Sequence, residues 1–323
     1  MRDYSLDAFK GVLVIGMILA HVWAFFGSPS TIMSLFHLES GITTFSGFLF
    51  AFGYATWFAY LSRDAEFARP RMLKTAGKML IAFFISALIY RLIVDQAMLT
   101  PALLLRVLTA SEIPPYSEFL LSFALVIGLG ALAFKPLKAL TERPAAFWAL
   151  VAAGLIAGLF PLGSKIPQLG VLIGSADPTT FPIVQYGPWY LVGIWFAKHK
   201  VQLNLKTALI ALACSGLFAV AYAVQKEIPS RFPPNTFWIL GAAAPLWAYL
   251  WLMRLFTWRP GNVLVSMGEN VRLYLLISNL VIFAVLAGRP ALKLDIPAVG
   301  LTTLMIMLFC LFLTGIVRQS KTA

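Results

Sequence analysis

Residues 6–23 read LDAFKGVLVIGMILAHVW. Between Lys10 and His21 every residue is apolar or glycine. A bilayer span takes about 20 mostly apolar residues, and inside hydrocarbon only a helix or a closed barrel satisfies its own backbone. The stretch therefore reads as a membrane helix over roughly 8–27. Lys10 and His21 are eleven positions apart, which is three turns plus roughly 20°. They share one face, about 16 Å apart along the axis, with Asp7, Val14, Met17 and Ile18 on the same stripe.

The rest of the chain follows this pattern. Of 323 residues, 60% are hydrophobic and only 12% charged, with a mean hydropathy of +0.85. Soluble domains carry about 25% charged residues. Apolar runs mark ten helices, near 8–27, 41–61, 75–94, 117–134, 145–161, 182–198, 206–225, 236–256, 270–288 and 296–317. The joins carry turn chemistry, as in GSPST, KPLKALTERP and SRFPPN. The expected fold is all-α: a single integral-membrane domain, 1–323, with about ten spans. Asp3, Asp7 and the lack of a small-x-small site in HVWAFFGSPS argue for a retained first span over a cleaved signal peptide. Cys214 and Cys310 lie within apolar runs and read as buried small residues.

The net charge of +12 would suggest nucleic acid in a soluble protein. Here the loops explain it. With the N-terminus cytoplasmic, the outer side carries Arg91, Arg106, Lys165, Lys226, Arg231, Arg289 and Lys293, with Arg272 at a helix entrance. The other seventeen basic residues fall on the cytoplasmic side, as the positive-inside rule requires. This predicts N-in, C-in topology and no nucleic-acid partner. Two outer connections, 95–116 and 162–181, are longer than hairpins need, and long loops often act as lids or binding elements.

Lys10 by itself reads as a snorkelling residue at the cytoplasmic end of a helix. A histidine deep in a span is less ordinary, since polar groups there pair with a neighbour or face a cavity. His21 is therefore either a structural hydrogen-bonding residue or part of a site. Lys10, at the inner mouth, and His21, beyond the midplane, would together suit a reaction with one partner on each side.

LDAFKG…AHVW resembles the opening of the integral-membrane acyltransferase-3 superfamily: an acidic residue, a basic residue and glycine, then ten positions to a histidine. That superfamily includes polysaccharide O-acetylases, glucan succinyltransferases and heparan glucosaminide N-acetyltransferase. FSGFLFAFGYATW, ARPRMLKTAGK, FPIVQYGPWYLVGIWFAKH, RFPPNTFWILGAAAPLWAYL and SMGENVRLYLLISNL are similar to its later helices and loops, so the likeness covers nearly the whole chain. Two positions differ. Lys10 stands where the family usually has arginine, and Ser278 and Asn279 follow the tyrosine of the ninth span where many members have histidine. The resemblance implies a multi-pass protein of a bacterial cytoplasmic membrane. It would move an acyl group, acetyl first among them, from cytosolic acyl-CoA to a hydroxyl of an extracytoplasmic, carbohydrate-type acceptor.

On that reading His21 takes the proton from the acceptor hydroxyl or carries the acyl group, its ordinary pKa of about 6.5 suiting proton transfer. Lys10, Arg69, Arg71 and Lys74, with Lys78, would hold the phosphates of CoA. Glu118 would orient His21 or bind acceptor hydroxyls, or else simply favour a helix N-terminus. Asn279, Ser278, Ser46 and Tyr274 are candidate donors to the oxyanion. His37 and Glu39, in the first outer loop, and Glu112, Arg106 and Trp189 are weaker candidates. Trp189 and Tyr190 also read as an aromatic belt. The three histidines do not cluster, so no metal is expected. A transporter or flippase is the competing class, because buried ionisable residues also mark transport routes. The matching pair of broken helices that many transporters carry is not seen. A non-catalytic member of the same fold also stays open.

Overall fold

The computed structural model describes residues 3–160 and 163–319. Arg2, Lys321, the side chain of Arg318 and residues 161–162, the last of the fifth expected span and the first of the connection after it, lie outside that description. Among the described residues there are helices and no strand. In chain order these are α1 (Tyr4–Phe26), α2 (Thr31–Thr56, ending in a π turn, Trp57–Leu61), α3 (Ala65–Ile89, with a π turn, Tyr90–Val94), α4 (Pro101–Leu108) and α5 (Glu118–Leu132). Next come α6 (Phe134–Leu140), α7 (Pro144–Ala157), α8 (Pro167–Ile173), α9 (Ile183–His199) and α10 (Leu205–Gln225). The chain ends with α11 (Thr236–Gly241), α12 (Ala243–Arg254), α13 (Val263–Glu269), α14 (Val271–Gly288) and α15 (Ile296–Gln319).

Among the described residues each of the ten expected stretches is mostly helical, but they are unequal. Among the described residues seven helices are long and apolar enough to cross a membrane: α1, α2 with its π turn, α3 with its π turn, α10, the α11–α12 pair, α14 and α15. An eighth is reached if α5 and α6, bent by 83° at Ala133, count as one span. Helix α7 has 14 residues and α9 has 17. Burial also separates them. The most apolar window of α10 is 11% buried and that of α15 is 22%, against 67% for α2. Leu209, Ile210, Leu212 and Val220 on α10, and Met305, Leu308 and Phe312 on α15, are exposed. In water such faces would be aggregation surfaces; hydrocarbon is their natural solvent.

Two expectations change in detail. Helix α2 begins at Thr31, ten residues before the expected start, so His37 and Glu39 lie on a helix and not in a loop. Glu39 accepts a hydrogen bond from the Tyr249 hydroxyl at 2.7 Å, a partner no local pattern reveals. The long connections each hold a short helix. Thr100 caps α4 by accepting the Leu103 N–H, with Pro101 in the first turn, and α4 buries Leu103 and Val107 while Leu105 and Leu108 stay exposed. Helix α8 is joined to the end of that first loop by Gln168, which donates to the Thr109 carbonyl at 3.0 Å.

By packing, the chain divides into two compact units. The first comprises residues 1–44, 89–98 and 248–323. Helix α1 runs through it against α13, α14 and α15. A Cβ on Gly11 would collide with the Leu264 carbonyl, and one on Gly268 with the Asp7 carbonyl. Here α1 and α13 touch backbone to backbone, the close packing that holds helices together where lipid removes the hydrophobic drive. The far end of α1 is fastened by Leu294, whose N–H donates to Phe26 and whose carbonyl accepts from Ser28.

The second unit comprises residues 45–88 and 99–247. In it the later part of α2 meets α9 in the same way, since a Cβ on Gly53 would strike the Tyr190 carbonyl and one on Gly193 the Phe50 carbonyl. Pro188 sits inside α9. Gly154 of α7 lies against the Pro188 ring and the Val184 carbonyl, so the irregular turn is covered by a residue with no side chain. Tyr190 is buried and donates to Thr56 at 3.2 Å, and the Trp189 indole donates to the Ile239 carbonyl at 3.0 Å. Both are placed by helix packing. At the turn between α6 and α7, Lys198 pairs with Glu142 at 2.7 Å and donates to Thr141.

Candidate functional site

The site in the first unit starts at the head of α1. Asp3 caps the helix, its carboxylate accepting the N–H groups of Ser5 and Leu6. Asp7, 4% exposed, pairs with Lys10 at 2.7 Å. The acidic residues that make this a poor signal peptide are thus a helix cap and an ion-pair partner. Lys10 is a compensated cation, and an incoming anion there would compete with Asp7.

His21 lies eleven residues further along this unbroken helix. Its Nδ1 is 3.1 Å from Oδ1 of Asn279, in the middle of α14. Asn279 is 1% exposed. A buried amide in an apolar helix is costly unless hydrogen-bonded, and the imidazole supplies a bond. An amide oxygen can only accept, so Nδ1 carries the proton and Nε2 of the neutral ring keeps the lone pair. That is the tautomer a general base needs. Of the other oxyanion candidates, Ser278 donates to the Leu275 carbonyl of its own helix at 3.3 Å. Tyr274 is fully buried on the same helix.

The second unit contains the remaining candidates. Arg71 and Lys74, with Arg63, Lys78, Tyr60, Phe67 and Thr75, line an open groove of about 540 Å³. The Arg71 guanidinium stacks 3.5 Å from the Phe67 ring centre, and the Tyr60 hydroxyl meets Thr75 at 3.2 Å. The volume is within the usual range for a small-ligand site, and the lining suits an anion with a flat ring. Arg69 does not line this groove; its Nε donates to the Ala131 carbonyl at 3.2 Å. The basic cluster that looks continuous in sequence is therefore divided by the helix into a groove-facing set and a structural tie.

Ser46 is fully buried in this unit, and its hydroxyl has no hydrogen-bond partner among the described residues. Glu112 pairs with Arg106 at 3.0 Å, so these two hold the end of the α4 loop. Glu118, 7% exposed, opens α5 and lies within the electrostatic reach of Arg231. Arg231 stands in SRFPPN, which reads in sequence only as turn chemistry. Tyr186 and Trp238, both buried, share its surroundings. This grouping was missed at the level of sequence because its members come from segments up to 120 positions apart; the one signal was a charged residue amid prolines and aromatics.

No family model matches the chain, and no curated protein or solved structure does.

Proposed function

We propose that the protein is an integral-membrane acyltransferase of the acyltransferase-3 kind, with about ten spans and both termini cytoplasmic. It transfers an acyl group, acetyl most simply, from cytosolic acyl-CoA to a hydroxyl of an extracytoplasmic carbohydrate. The observation that carries this reading is the His21–Asn279 pair, a half-buried imidazole whose Nδ1 is engaged at 3.1 Å by a buried amide. The helical path of about 16 Å from Lys10 supports it, being comparable to the pantetheine arm of CoA. The groove bearing Arg71 and Lys74 supports a phosphate-rich donor.

In the reaction, Nε2 of His21 accepts the hydroxyl proton as the acceptor oxygen bonds to the thioester carbonyl carbon. The negative charge passes to the carbonyl oxygen, then returns to expel the thiolate. The thiolate takes the proton from the imidazolium and leaves as free CoA, and the acceptor leaves as an ester. Asn279 holds the ring in the reactive tautomer and stabilises its charged form.

The test is turnover of radiolabelled acetyl-CoA by the protein in liposomes. His21→Ala should lose about 10²–10⁴-fold in kcat. Asn279→Ala should lose up to about 10²-fold, mostly in kcat, because the ring is misplaced. Equal turnover in wild type and His21→Ala, or none in either, would sink the proposal.

A further inference from the structure

The groove of about 540 Å³ between the π turn of α2 and the start of α3 is strongly one-signed. Arg63, Arg71, Lys74 and Lys78 line it, and among the described residues no carboxylate does. Asp64 and Glu66 lie in the same stretch of chain but outside the lining. Its rim is fastened from elsewhere in the unit, since the Lys138 ammonium donates to the Arg63 carbonyl at 3.0 Å. The Arg71 guanidinium rests over the Phe67 ring. Stacked in this way, it keeps its N–H groups at the edge, where they can grip a phosphate.

The helix face that forms the groove continues past it. Phe67, Arg71, Lys74, Lys78, Ile81 and Ile85 fall within about 40° of one line along α3, and all six are exposed. Ile81 is 58% exposed and Ile85 40%. Lys78 and Ile81 are separated by roughly 4.5 Å of helix rise, so the face passes from basic to apolar within one turn. In a helix long and apolar enough to span a bilayer, that change marks the boundary between headgroups and hydrocarbon. A ligand that matches the whole face carries a phosphate for the groove and an apolar chain for Ile81 and Ile85. A soluble anion matches only the first half. A zwitterionic lipid brings an ammonium group that meets no carboxylate in the lining. An anionic phospholipid matches both halves, and four or more basic residues just cytoplasmic of a span are the usual pattern for holding one. The groove is cytoplasmic in the topology proposed above.

We propose that this groove and the α3 face below it bind an anionic phospholipid of the cytoplasmic leaflet. Its headgroup phosphate sits among Arg71, Lys74 and Lys78, and an acyl chain runs along Ile81 and Ile85. The lipid site does not depend on the transferase reading. Its consequence for activity does rest on that reading: lipid and acyl-CoA share Arg71 and Lys74, so anionic lipid competes with the donor and raises the KM for acetyl-CoA.

The experiment uses the full-length protein in phosphatidylcholine nanodiscs doped with phosphatidylglycerol that carries a photoreactive diazirine in its acyl chain. After photolysis, mass spectrometry maps the adducts. Labelling of the 67–85 segment should exceed that given by phosphatidylcholine with the same diazirine chain. Arg71→Ala with Lys74→Ala should cut this excess by about tenfold or more, as two charge-assisted contacts are lost. Should the loss of Arg71 from Phe67 disturb the fold, Lys74→Gln with Lys78→Gln decides. Lys135→Ala, at an exposed cation outside the groove, should leave the excess unchanged. Neither inorganic phosphate nor glycerophosphoglycerol should displace the lipid, because both lack the chains. Equal labelling by the two lipids, an unchanged excess in the groove variants, an equal loss in Lys135→Ala, or displacement by either soluble phosphate would each overturn the proposal. Failure of the transferase reading looks different: no His21-dependent turnover of acetyl-CoA is then seen, while the lipid labelling and its loss in the groove variants persist.

Discussion

At the scale of single residues, the polar groups within apolar helices are the ones that need an account. His21 and Asn279 provide for one another, 258 positions apart in sequence. Lys10 is different, because it already has Asp7 at 2.7 Å. Removing Lys10 leaves Asp7 in a 4%-exposed setting with one cation fewer, so Lys10→Ala should cost stability as well as raise the KM for acetyl-CoA. Asp7→Asn with Lys10→Ala separates the two effects: the double variant should regain thermal stability and keep the raised KM. An unchanged KM in both would remove Lys10 from donor binding. In the groove, Arg71→Ala should raise the same KM by about tenfold, the worth of one charge-assisted contact. Arg69→Ala, at the Ala131 carbonyl, should act on stability and leave KM alone.

At the scale of helices, close backbone approach decides which faces meet. Gly193 faces the Phe50 carbonyl with no room for a methyl group, whereas a Cβ on Gly216 of α10 would meet nothing within 4 Å. Gly193→Ala should therefore destabilise by about 1–3 kcal/mol or more. Gly216→Ala should be neutral or stabilising by up to about 1 kcal/mol, since alanine is the better helix former. Thermal unfolding in one detergent compares the two directly, and equal effects would contradict the packing. The Glu142–Lys198 tie makes a pH-dependent contribution. Lys198 beside it holds the Glu142 carboxyl below its usual value. The folded value is the lower one, so the stabilisation is present above the ordinary glutamate range and is lost as pH falls through the folded value. The difference in unfolding temperature between wild type and Glu142→Gln should accordingly be present at neutral pH and disappear in acid. It should be small, because Glu142 is exposed and such pairs are screened.

At the scale of the whole molecule, the proposed ten-span topology gives a sharp expectation. With Cys214 and Cys310 replaced, single cysteines at Gln96 and Glu227 should react with an impermeant maleimide on intact cells. Those at Asp64 and Gln202 should react only after permeabilisation. Opposite behaviour of Asp64 and Gln202 would show that one of the shorter helices between them does not cross. The all-helical fold was legible from the chain because hydropathy and helix formation are local, set by about 20 neighbouring residues and the lack of water. The shared face of Lys10 and His21 was legible for the same reason, as 3.6-residue geometry acts within one helix. The 83° bend at Ala133, the extension of α2 back to Thr31 and the division of the Arg69–Lys74 cluster were not. Nor was the meeting of His21 with Asn279, or of Arg231 with Glu118, Tyr186 and Trp238. Those depend on which helix faces approach closely enough to touch. That is decided by glycines such as Gly11, Gly53, Gly193 and Gly268, whose partners lie far away in sequence and become neighbours only when the helices pack.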